Sequence, residues 1–386
     1  MWRGERYGHE KIRIAYVSTD LRTHAVANLI VGCLEHHDRK RFETTAISLF
    51  PDDGTEMRKR IEAAFDRFIV ADDISDFEVA KLMREQEIDI AVDLNGHTTG
   101  KRTRIFSYRP APIQVNYLGF PGTIGGALTD YIIADRFVIP KEDRVHYSEK
   151  VVYLPHAYQP NDSRRRVAAT TPSRRDAGLP EHGFVFTCLN NPSKIRPHIF
   201  DVWMRLLGAV EGSVLWLLDD GPGTTFNLRR EAKLRGIDPE RLVFARKVPP
   251  SAHLARQRLA DLFLDTDPYN AHTTASDALW VGLPVLTYMG KTFSGRVAAS
   301  LLHAVGLPEL VTHSLDEYEQ LALSLARNPQ RLAATRAKLI QNRDTAPLFD
   351  TALFTRHLEA AYTAMWQRYE AGQEPISFSV PASPEL

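Results

Sequence analysis

The chain has 386 residues, 44% hydrophobic and 25% charged, which is an ordinary globular composition with room for two or three domains. Lysine plus arginine equals aspartate plus glutamate, 48 each, and this zero formal net charge gives no support to a nucleic-acid-binding protein, where a strongly basic domain is expected. The sequence has no signal-peptide core and no run of roughly 18 apolar residues. Its two cysteines, Cys33 and Cys188, lie in apolar runs without metal-site spacing. We therefore expect a soluble cytoplasmic protein with buried thiols that binds neither nucleic acid nor a membrane.

Short apolar runs alternate with amphipathic stretches in the first half of the chain. The apolar runs predict strands at 12–18, 44–50, 67–71, 88–94, 112–118 and 130–135. The amphipathic stretches predict helices at 25–37 and 78–87. This alternation favours a parallel sheet covered by helices.

The second half repeats the plan after an arginine-rich polar segment, 159–180. Strands are predicted at 183–189, 213–219, 242–246, 261–265 and 284–288, with helices near 195–208, from about 274, near 294–304 and at 353–371. We expect domains at 1–165 and 166–350, a C-terminal helix at 351–372 that returns to the first domain, and a loose tail at 373–386. Two successive α/β domains imply a cleft between them, and ligands of such sheets bind beyond the carboxyl ends of strands, often at helix N-termini.

The stretch DTDPYNAHTTASDALW, residues 265–280, leaves a predicted buried strand and starts a helix near Thr274. The first turn of a helix carries unpaired N–H groups and partial positive charge, so a diphosphate fits there, with donors from His272, Thr273 and Thr274. The simpler interpretation is a T-x-x-D capping box formed by Thr274 and Asp277. The triplet Asp265-Thr-Asp267 also matches the D-x-D pattern of metal-dependent sugar transferases, but that pattern is common, and we expect no metal here.

Five segments together resemble the catalytic region of the O-GlcNAc transferases, the family 41 glycosyltransferases. They are YVSTDLRTHAVANL (16–29), DLNGHTTGKRTRIFSYRPAPIQVNYLGFPGT (93–123), YSEKVVYLPHAYQPND (147–162), NNPSKIRP (190–197) and LDTDPYNAHTTASDALWVGLPVLTYMGKTFSGRVAASLL (264–302). The resemblance covers roughly residues 12–372. It implies an α/β protein of the GT-B fold, with two Rossmann-like domains facing a central cleft and the C-terminal helix packed back on the first domain.

The implied reaction is metal-independent, cofactor-free transfer of a sugar from a UDP-sugar, most simply UDP-GlcNAc, to Ser or Thr hydroxyls of proteins, with inversion at the anomeric carbon. By resemblance, His24 lies near sugar and acceptor, where it is a candidate base, and Lys194 contacts the diphosphate. Asn191 stands where the family has a phosphate-contacting glutamine, and His253 lies near the uracil. The remaining matched residues are the phosphate-binding His272, Thr273 and Thr274, the ribose-binding Asp277, and the loop beside the donor sugar, Gly119, Phe120, Pro121, Gly122 and Thr123.

Three departures from the family pattern bear on specificity. Tyr269 stands where animal members have a cysteine near the pocket for the sugar's acyl group, and Pro250 replaces a lysine beside the base. No tetratricopeptide repeat of about 34 residues is visible, so we expect a catalytic fragment or a minimal form.

Other functions remain open on the sequence alone. A related transferase would use UDP-glucose or GDP-fucose. A nucleotide-sugar epimerase of the same fold would need carboxylates as acid and base, and a non-catalytic UDP-sugar binder would share the binding residues without turnover.

Overall fold

The computed structural model describes residues 1–382 and divides the chain into two compact units. Among these residues the first unit comprises 1–163 and 350–382, and the second comprises 164–349. The domain limits expected from the sequence, 1–165 and 166–350, lie within two residues of these positions.

The first unit begins with a βα alternation in which every strand is parallel to its neighbour. Its strands are β1 (Ile12–Ser18), β2 (Phe42–Ser48), β3 (Arg67–Val70), β4 (Ile90–Asp93), β5 (Ile113–Asn116), β6 (Tyr131–Ala134) and β7 (Lys150–Tyr153). Its helices up to this point are α1 (Ala25–His36), α2 (Glu56–Ala64), α3 (Asp76–Glu85) and α4 (Arg104–Ser107). The central residues of β1, Ile14 to Val17, are at most 1% exposed, because helices cover both faces of a parallel sheet.

The second unit is a shorter sheet built on the same plan. Its strands are β8 (Val185–Cys188), β9 (Val214–Leu218), β10 (Leu242–Ala245), β11 (Leu262–Leu264), β12 (Val285–Tyr288) and β13 (Val311–Thr312). Its helices are α5 (Pro197–Ala209), α6 (Pro222–Leu234), α7 (Pro250–Gln257), α8 (Thr273–Trp280), α9 (Val297–Ala304), α10 (Leu315–Arg327) and α11 (Pro329–Arg343).

The chain then returns to the first unit as α12 (Thr351–Glu370) and β14 (Phe378–Ser379). The α12 helix packs on α1, where Glu359 Oε1 accepts hydrogen bonds from His37 Nδ1 at 3.0 Å and from the Asp38 amide at 2.7 Å. This packing confirms that the C-terminal helix lies against the first α/β unit.

Strand order places the site-bearing loops next to one another within each sheet. The order is β14-β7-β6-β5-β4-β1-β2-β3 in the first unit and β10-β9-β8-β11-β12-β13 in the second. In each sheet the chain reverses its direction of travel beside the first strand, between β1 and β4 and between β8 and β11. Loops that leave the carboxyl ends of such neighbouring strands diverge and leave a crevice for a ligand.

One expectation about the chain's course needs correction, and one strand was not expected. The tail from 373 is not loose throughout, because Phe378 and Ser379 pair with Val152 and Tyr153 of β7. Residues 383–386 lie outside the described part of the chain. The pairing strand β7 was itself not predicted, since KVVY is short and lacks an alternating pattern.

Both cysteines are fully buried, and burial raises the pKa of each thiol to about 12, as expected for inert core residues. Within residues 1–382, no helix combines the length and apolarity needed to cross a bilayer.

Candidate functional site

The loop between β11 and α8 is organised around the buried carboxylate of Asp265. Its Oδ1 accepts hydrogen bonds from the amides of Thr266, at 2.8 Å, and Ala271, at 2.6 Å, and its Oδ2 accepts one from the Thr287 hydroxyl at 2.6 Å. In the same loop, Asp267 Oδ2 lies 2.8 Å from His198 Nε2. Since the Asp265 oxygens are already used by the fold, the D-x-D triplet is explained as a structural element of this loop.

Helix α8 begins one residue earlier than predicted, at Thr273, with His272 as its N-cap residue and no side-chain cap. The predicted capping box is therefore wrong. The Thr274 hydroxyl donates to Asn190 Oδ1 instead, and Asp277 pairs with Arg165. The first turn of α8 thus keeps its helix-dipole charge without the side-chain acceptor that normally covers it.

Lys194, at the end of a short 3₁₀ turn after β8, reaches this loop from the neighbouring strand. Its Nζ donates to the Asn270 carbonyl at 2.8 Å and lies 4.2 Å from the ring centroid of Tyr269. Burial lowers the pKa of Lys194 to about 8, although the nearby Asp265 carboxylate opposes the shift. Burial also raises the pKa of Asp265 to about 7. The Asp265 carboxylate therefore offsets only part of the cost of burying the Lys194 ammonium, and a bound anion beside Lys194 would raise its pKa again.

The His272 ring lies between Tyr269 of the same loop and Ser294 of the segment that follows β12. It stacks on Tyr269 with ring centroids 4.8 Å apart, and its Nε2 lies 3.2 Å from the Ser294 carbonyl oxygen. Burial, and next the Lys194 charge, lower the pKa of His272 to about 3. The neutral ring therefore carries its hydrogen on Nε2 and donates it to Ser294, rather than offering that atom to a ligand.

Asn190 and Asn191 are adjacent but have different environments. Asn190 is buried; its Nδ2 donates to Thr266 Oγ1 at 2.8 Å, and its Oδ1 accepts from Thr274. The exposed Asn191 accepts from the Ser193 amide at 3.0 Å and caps the turn that carries Lys194. Asn190 was not singled out from the sequence, yet it joins the loops that follow β8 and β11.

Asp277, one turn inside α8, belongs to a charged cluster with Arg165 and His253. Arg165 Nη2 donates to Asp277 Oδ1, and His253 Nε2 lies 3.8 Å from Asp277 Oδ2. On its other side, His253 Nδ1 lies 2.8 Å from Arg256 Nη2. Since that guanidinium donates, the neutral His253 ring carries its hydrogen on Nε2, facing Asp277. Burial lowers the pKa of His253, with Asp277 acting in the opposite direction.

In the first unit, His24 caps α1 at the carboxyl end of β1. The His24 Nδ1 atom accepts a hydrogen bond from the Val26 amide at 3.3 Å. The same atom lies 3.5 Å from Asp20 Oδ2. Asp20 is held in turn by Asn95, whose Nδ2 donates to Asp20 Oδ2 at 2.9 Å. The His24 side chain keeps 38% of its surface exposed, and burial of the rest lowers its pKa. A neutral, accessible imidazole backed by a carboxylate has the composition of a general base.

The Gly119–Thr123 loop follows β5, next to β4, and is fixed on several sides. The buried Glu149 accepts from the Thr123 hydroxyl at 2.6 Å and from the Ile124 amide at 2.7 Å. His97 Nε2 lies 2.8 Å from the Ile124 carbonyl. A Cβ atom on Gly119 would lie 1.9 Å from the Leu94 carbonyl oxygen, so only glycine fits there. Phe120 packs against Gly96 and Gly122, and the loop that contains Pro121 therefore lies directly on the β4 exit loop.

The candidate residues thus form two sets, each within its own unit. His24 and the Gly119–Thr123 loop belong to the first unit, and the residues from Asn191 to Asp277 belong to the second. The central cleft that the sequence predicts between the two units stays a prediction. Sequence reasoning missed the supporting residues Asp20, Asn95, Glu149, Arg165 and Asn190. Asp20 had a local signal, since it stands four positions before His24.

Two parallel-sheet α/β units of this kind define the GT-B class of glycosyltransferase fold. A Thermobaculum terrenum O-GlcNAc transferase mutant has a TM-score of 0.87 to this chain at 34% identity, over 93% of this chain and 68% of that one. Anabaena HepE, in a structure with UDP and glucose, has a TM-score of 0.62 at 13% identity over 92% of this chain and 100% of that one. At that identity the likeness shows the fold alone.

The sequence comparisons give the family. The model of glycosyl transferase family 41 matches residues 3–171 and 161–358, and the chain belongs to this family. The probable UDP-N-acetylglucosamine–peptide N-acetylglucosaminyltransferase SEC of Arabidopsis thaliana is 39% identical over 97% of this chain and 39% of its own length. The Caenorhabditis elegans UDP-N-acetylglucosamine–peptide N-acetylglucosaminyltransferase is 28% identical over 94% of this chain and 41% of its own. The chain therefore spans about two fifths of the length of these curated relatives.

Proposed function

We propose that this chain is an inverting, metal-independent glycosyltransferase that moves N-acetylglucosamine from UDP-GlcNAc to Ser and Thr hydroxyls of proteins. The observation that carries the proposal is the convergence of Lys194 and the uncapped first turn of α8 at the switch point of the second sheet. The SEC and Caenorhabditis relatives are named as UDP-N-acetylglucosamine–peptide N-acetylglucosaminyltransferases, which supports this donor and this acceptor class.

In this proposal the second unit holds the donor by its leaving group. As the bond between the anomeric carbon and the diphosphate oxygen breaks, negative charge builds on the phosphates. The Lys194 ammonium and the amides of Thr273 and Thr274 are fixed donors that stabilise this charge in the transition state. The Thr273 hydroxyl has no hydrogen-bond partner in the part of the chain that the structure describes, and we assign it to a phosphate oxygen as well.

The acceptor hydroxyl attacks the opposite face of the anomeric carbon and must lose its proton. His24 is the side chain in the first unit best suited to take it, because it is neutral at pH 7 and 38% exposed. In the structure Nδ1 accepts from the Val26 amide, so the neutral ring carries its hydrogen on Nε2. In the proposed step that hydrogen moves to Nδ1, which lies 3.5 Å from Asp20 Oδ2, and the Nε2 lone pair is then left for the acceptor proton. The donor's own phosphate is the alternative proton sink.

The two carboxylates of the D-x-D triplet are poorly placed to bind a metal. The Asp265 carboxylate accepts hydrogen bonds from two amides and a hydroxyl, and the Asp267 carboxylate contacts His198. Chelation of a divalent cation would require breaking these contacts, whereas Lys194 already supplies positive charge at the same loop.

The test is an intact-mass assay of a candidate acceptor protein incubated with a panel of donors in EDTA. The panel contains UDP-GlcNAc, UDP-glucose and GDP-fucose. We expect a mass gain of one N-acetylhexosamine from UDP-GlcNAc that is removed by alkali and unaffected by EDTA. A gain from one of the other donors alone would change the assigned sugar, and complete dependence on added Mn²⁺ would contradict the metal-free mechanism.

Two further outcomes would replace the proposal. Conversion of UDP-GlcNAc to an epimeric nucleotide sugar without an acceptor would identify an epimerase. Tight UDP-GlcNAc binding with no product of either kind, across a panel of protein extracts, would identify a binding protein.

A further inference from the structure

Arg165 lies in the arginine-rich segment 159–180, at the predicted boundary of the two domains and outside all the motifs that carry the family resemblance. Its side chain is nevertheless only 10% exposed, because it folds onto α8 and donates from Nη2 to Asp277 Oδ1. Its other terminal nitrogen, Nη1, is buried and has no hydrogen-bond partner among the described residues.

A buried guanidinium N–H without an acceptor costs free energy, so its retention calls for an explanation. The neighbouring groups do not provide an acceptor. Asp277 Oδ1 already receives Nη2, and Asp277 Oδ2 lies beside His253 Nε2 at 3.8 Å, beyond hydrogen-bond distance. The cluster therefore presents one unused donor, Arg165 Nη1, next to one underused acceptor, Asp277 Oδ2.

An adjacent donor and acceptor match the chemistry of a sugar hydroxyl, which donates one hydrogen bond and accepts others. We propose that Arg165 is a specificity-determining residue that, together with Asp277, binds the ribose diol of the nucleotide. Asp277 accepts a hydroxyl hydrogen, and Arg165 donates to a hydroxyl oxygen. The inference rests on the proposed function, because it concerns the nucleoside end of the same donor.

A phosphate group is a less suitable partner for Arg165. The guanidinium is already neutralised by Asp277, and an incoming phosphate would be repelled by that carboxylate. A ribose hydroxyl is neutral and uses both partners of the ion pair without separating them. Recognition of this kind distinguishes ribonucleotides from 2′-deoxyribonucleotides, since the analogue leaves the donor unpaired.

The experiment is calorimetric titration of UDP and 2′-deoxy-UDP into the wild-type chain and three variants. Arg165→Met removes the donors, and Arg165→Lys keeps the charge beside Asp277 with a different donor geometry. Arg166→Met is the matched control, because Arg166 is the exposed neighbour in the same segment. Thermal unfolding of each variant shows whether it is folded.

We expect the wild type and Arg166→Met to bind UDP at least about tenfold more tightly than 2′-deoxy-UDP. Arg165→Met should bind UDP about tenfold more weakly than the wild type while 2′-deoxy-UDP changes little, so that the preference is lost. If Arg165→Met does not fold, the same loss of preference in Arg165→Lys supports the inference.

An unchanged preference for UDP in the Arg165 variants would overturn the inference, as would equal weakening of both nucleotides, which a purely structural ion pair predicts. A wild-type chain that binds UDP poorly or not at all would instead overturn the proposed function, and this inference with it. The two failures are therefore distinguishable from the same set of titrations.

Discussion

The ammonium group of Lys194 donates a hydrogen bond to the carbonyl oxygen of Asn270 at 2.8 Å, and this contact joins the exit loop of β8 to the loop that precedes α8. The two loops are 76 positions apart in the chain. A positive charge is thereby fixed beside the start of a helix, without a carboxylate in direct contact among the described residues. This pairing is the basis of the predicted diphosphate site.

Removal of the Lys194 charge should slow sugar transfer strongly. We expect Lys194→Met to lower kcat by about 100-fold or more and to weaken UDP binding, because the ammonium stabilises charge on the leaving group. The measurement is the initial rate of sugar transfer together with the Kd for UDP. Lys233→Met, on the exposed face of α6, is the control and should be unchanged. A Lys194→Met variant with wild-type rates would refute the assigned role.

The same lysine predicts a pH dependence of nucleotide affinity. Since its pKa is lowered to about 8, the free protein loses the ammonium as the pH rises through that value. The UDP affinity of the wild type should fall about tenfold between roughly pH 7 and pH 9. A Lys194→Arg variant stays charged over this range, so its UDP affinity should not change with pH. A wild-type affinity that does not vary with pH would show that Lys194 stays protonated or does not contact the nucleotide.

Substitution of Asn190 should mainly lower stability, whereas substitution of Asn191 should mainly weaken UDP binding. Asn190→Ala leaves the Thr274 hydroxyl without its acceptor and removes the donor to Thr266 Oγ1, and we expect it to lower the free energy of unfolding by about 1–3 kcal/mol. Asn191→Ala removes an exposed side chain and should cost less stability while weakening UDP binding. Urea denaturation and calorimetric titration measure the two effects. Equal stability losses would indicate that the burial of Asn190 has no energetic role.

Substitution of His24 should lower the turnover rate rather than the affinity for the nucleotide. We expect His24→Ala to lower kcat by about 100-fold with little change in the Kd for UDP. The Asp20 carboxylate raises the His24 pKa against the effect of burial. Asp20→Asn should therefore move the acidic limb of the kcat profile to lower pH, because the His24 pKa falls and the imidazole stays neutral down to a lower pH. A His24→Ala variant within a few-fold of the wild-type kcat would favour the donor phosphate as the proton sink.

Gly119 should tolerate no side chain. A Cβ atom there would meet the Leu94 carbonyl, and we expect Gly119→Ala to destabilise the chain by roughly 3 kcal/mol. Gly8→Ala is the matched control, because a Cβ at Gly8 has no neighbour within 4 Å. Chemical denaturation of both variants provides the comparison. Equal stabilities would mean that the loop after β5 moves freely away from β4.

The sheets were largely predictable because buried parallel strands are continuous apolar runs. The run at 12–18 became β1 with the same limits, and the C-terminal helix was predicted within two residues of α12 at each end. The T-x-x-D capping box failed for a physical reason. Thr274 finds a better-placed acceptor in Asn190, 84 positions earlier in the chain, and a local pattern carries no information about such a partner.

The residues that support the site were also missed because their partners are distant in sequence. Glu149 reaches Thr123 and Ile124 across 25 or 26 positions, and Arg165 reaches Asp277 across 112. The motif residues that would touch a ligand were identifiable from their types and spacing. The groups that hold them in place depend on which strands become neighbours, and this is decided by the assembled sheet.

The most direct test of the central claim is a crystal structure of the protein with UDP, grown in EDTA. We predict the pyrophosphate within hydrogen-bond distance of the Thr273 and Thr274 amides and of Lys194 Nζ, with no cation bound. A nucleotide bound elsewhere, or one that binds only with a divalent ion held by Asp265 and Asp267, would contradict the account.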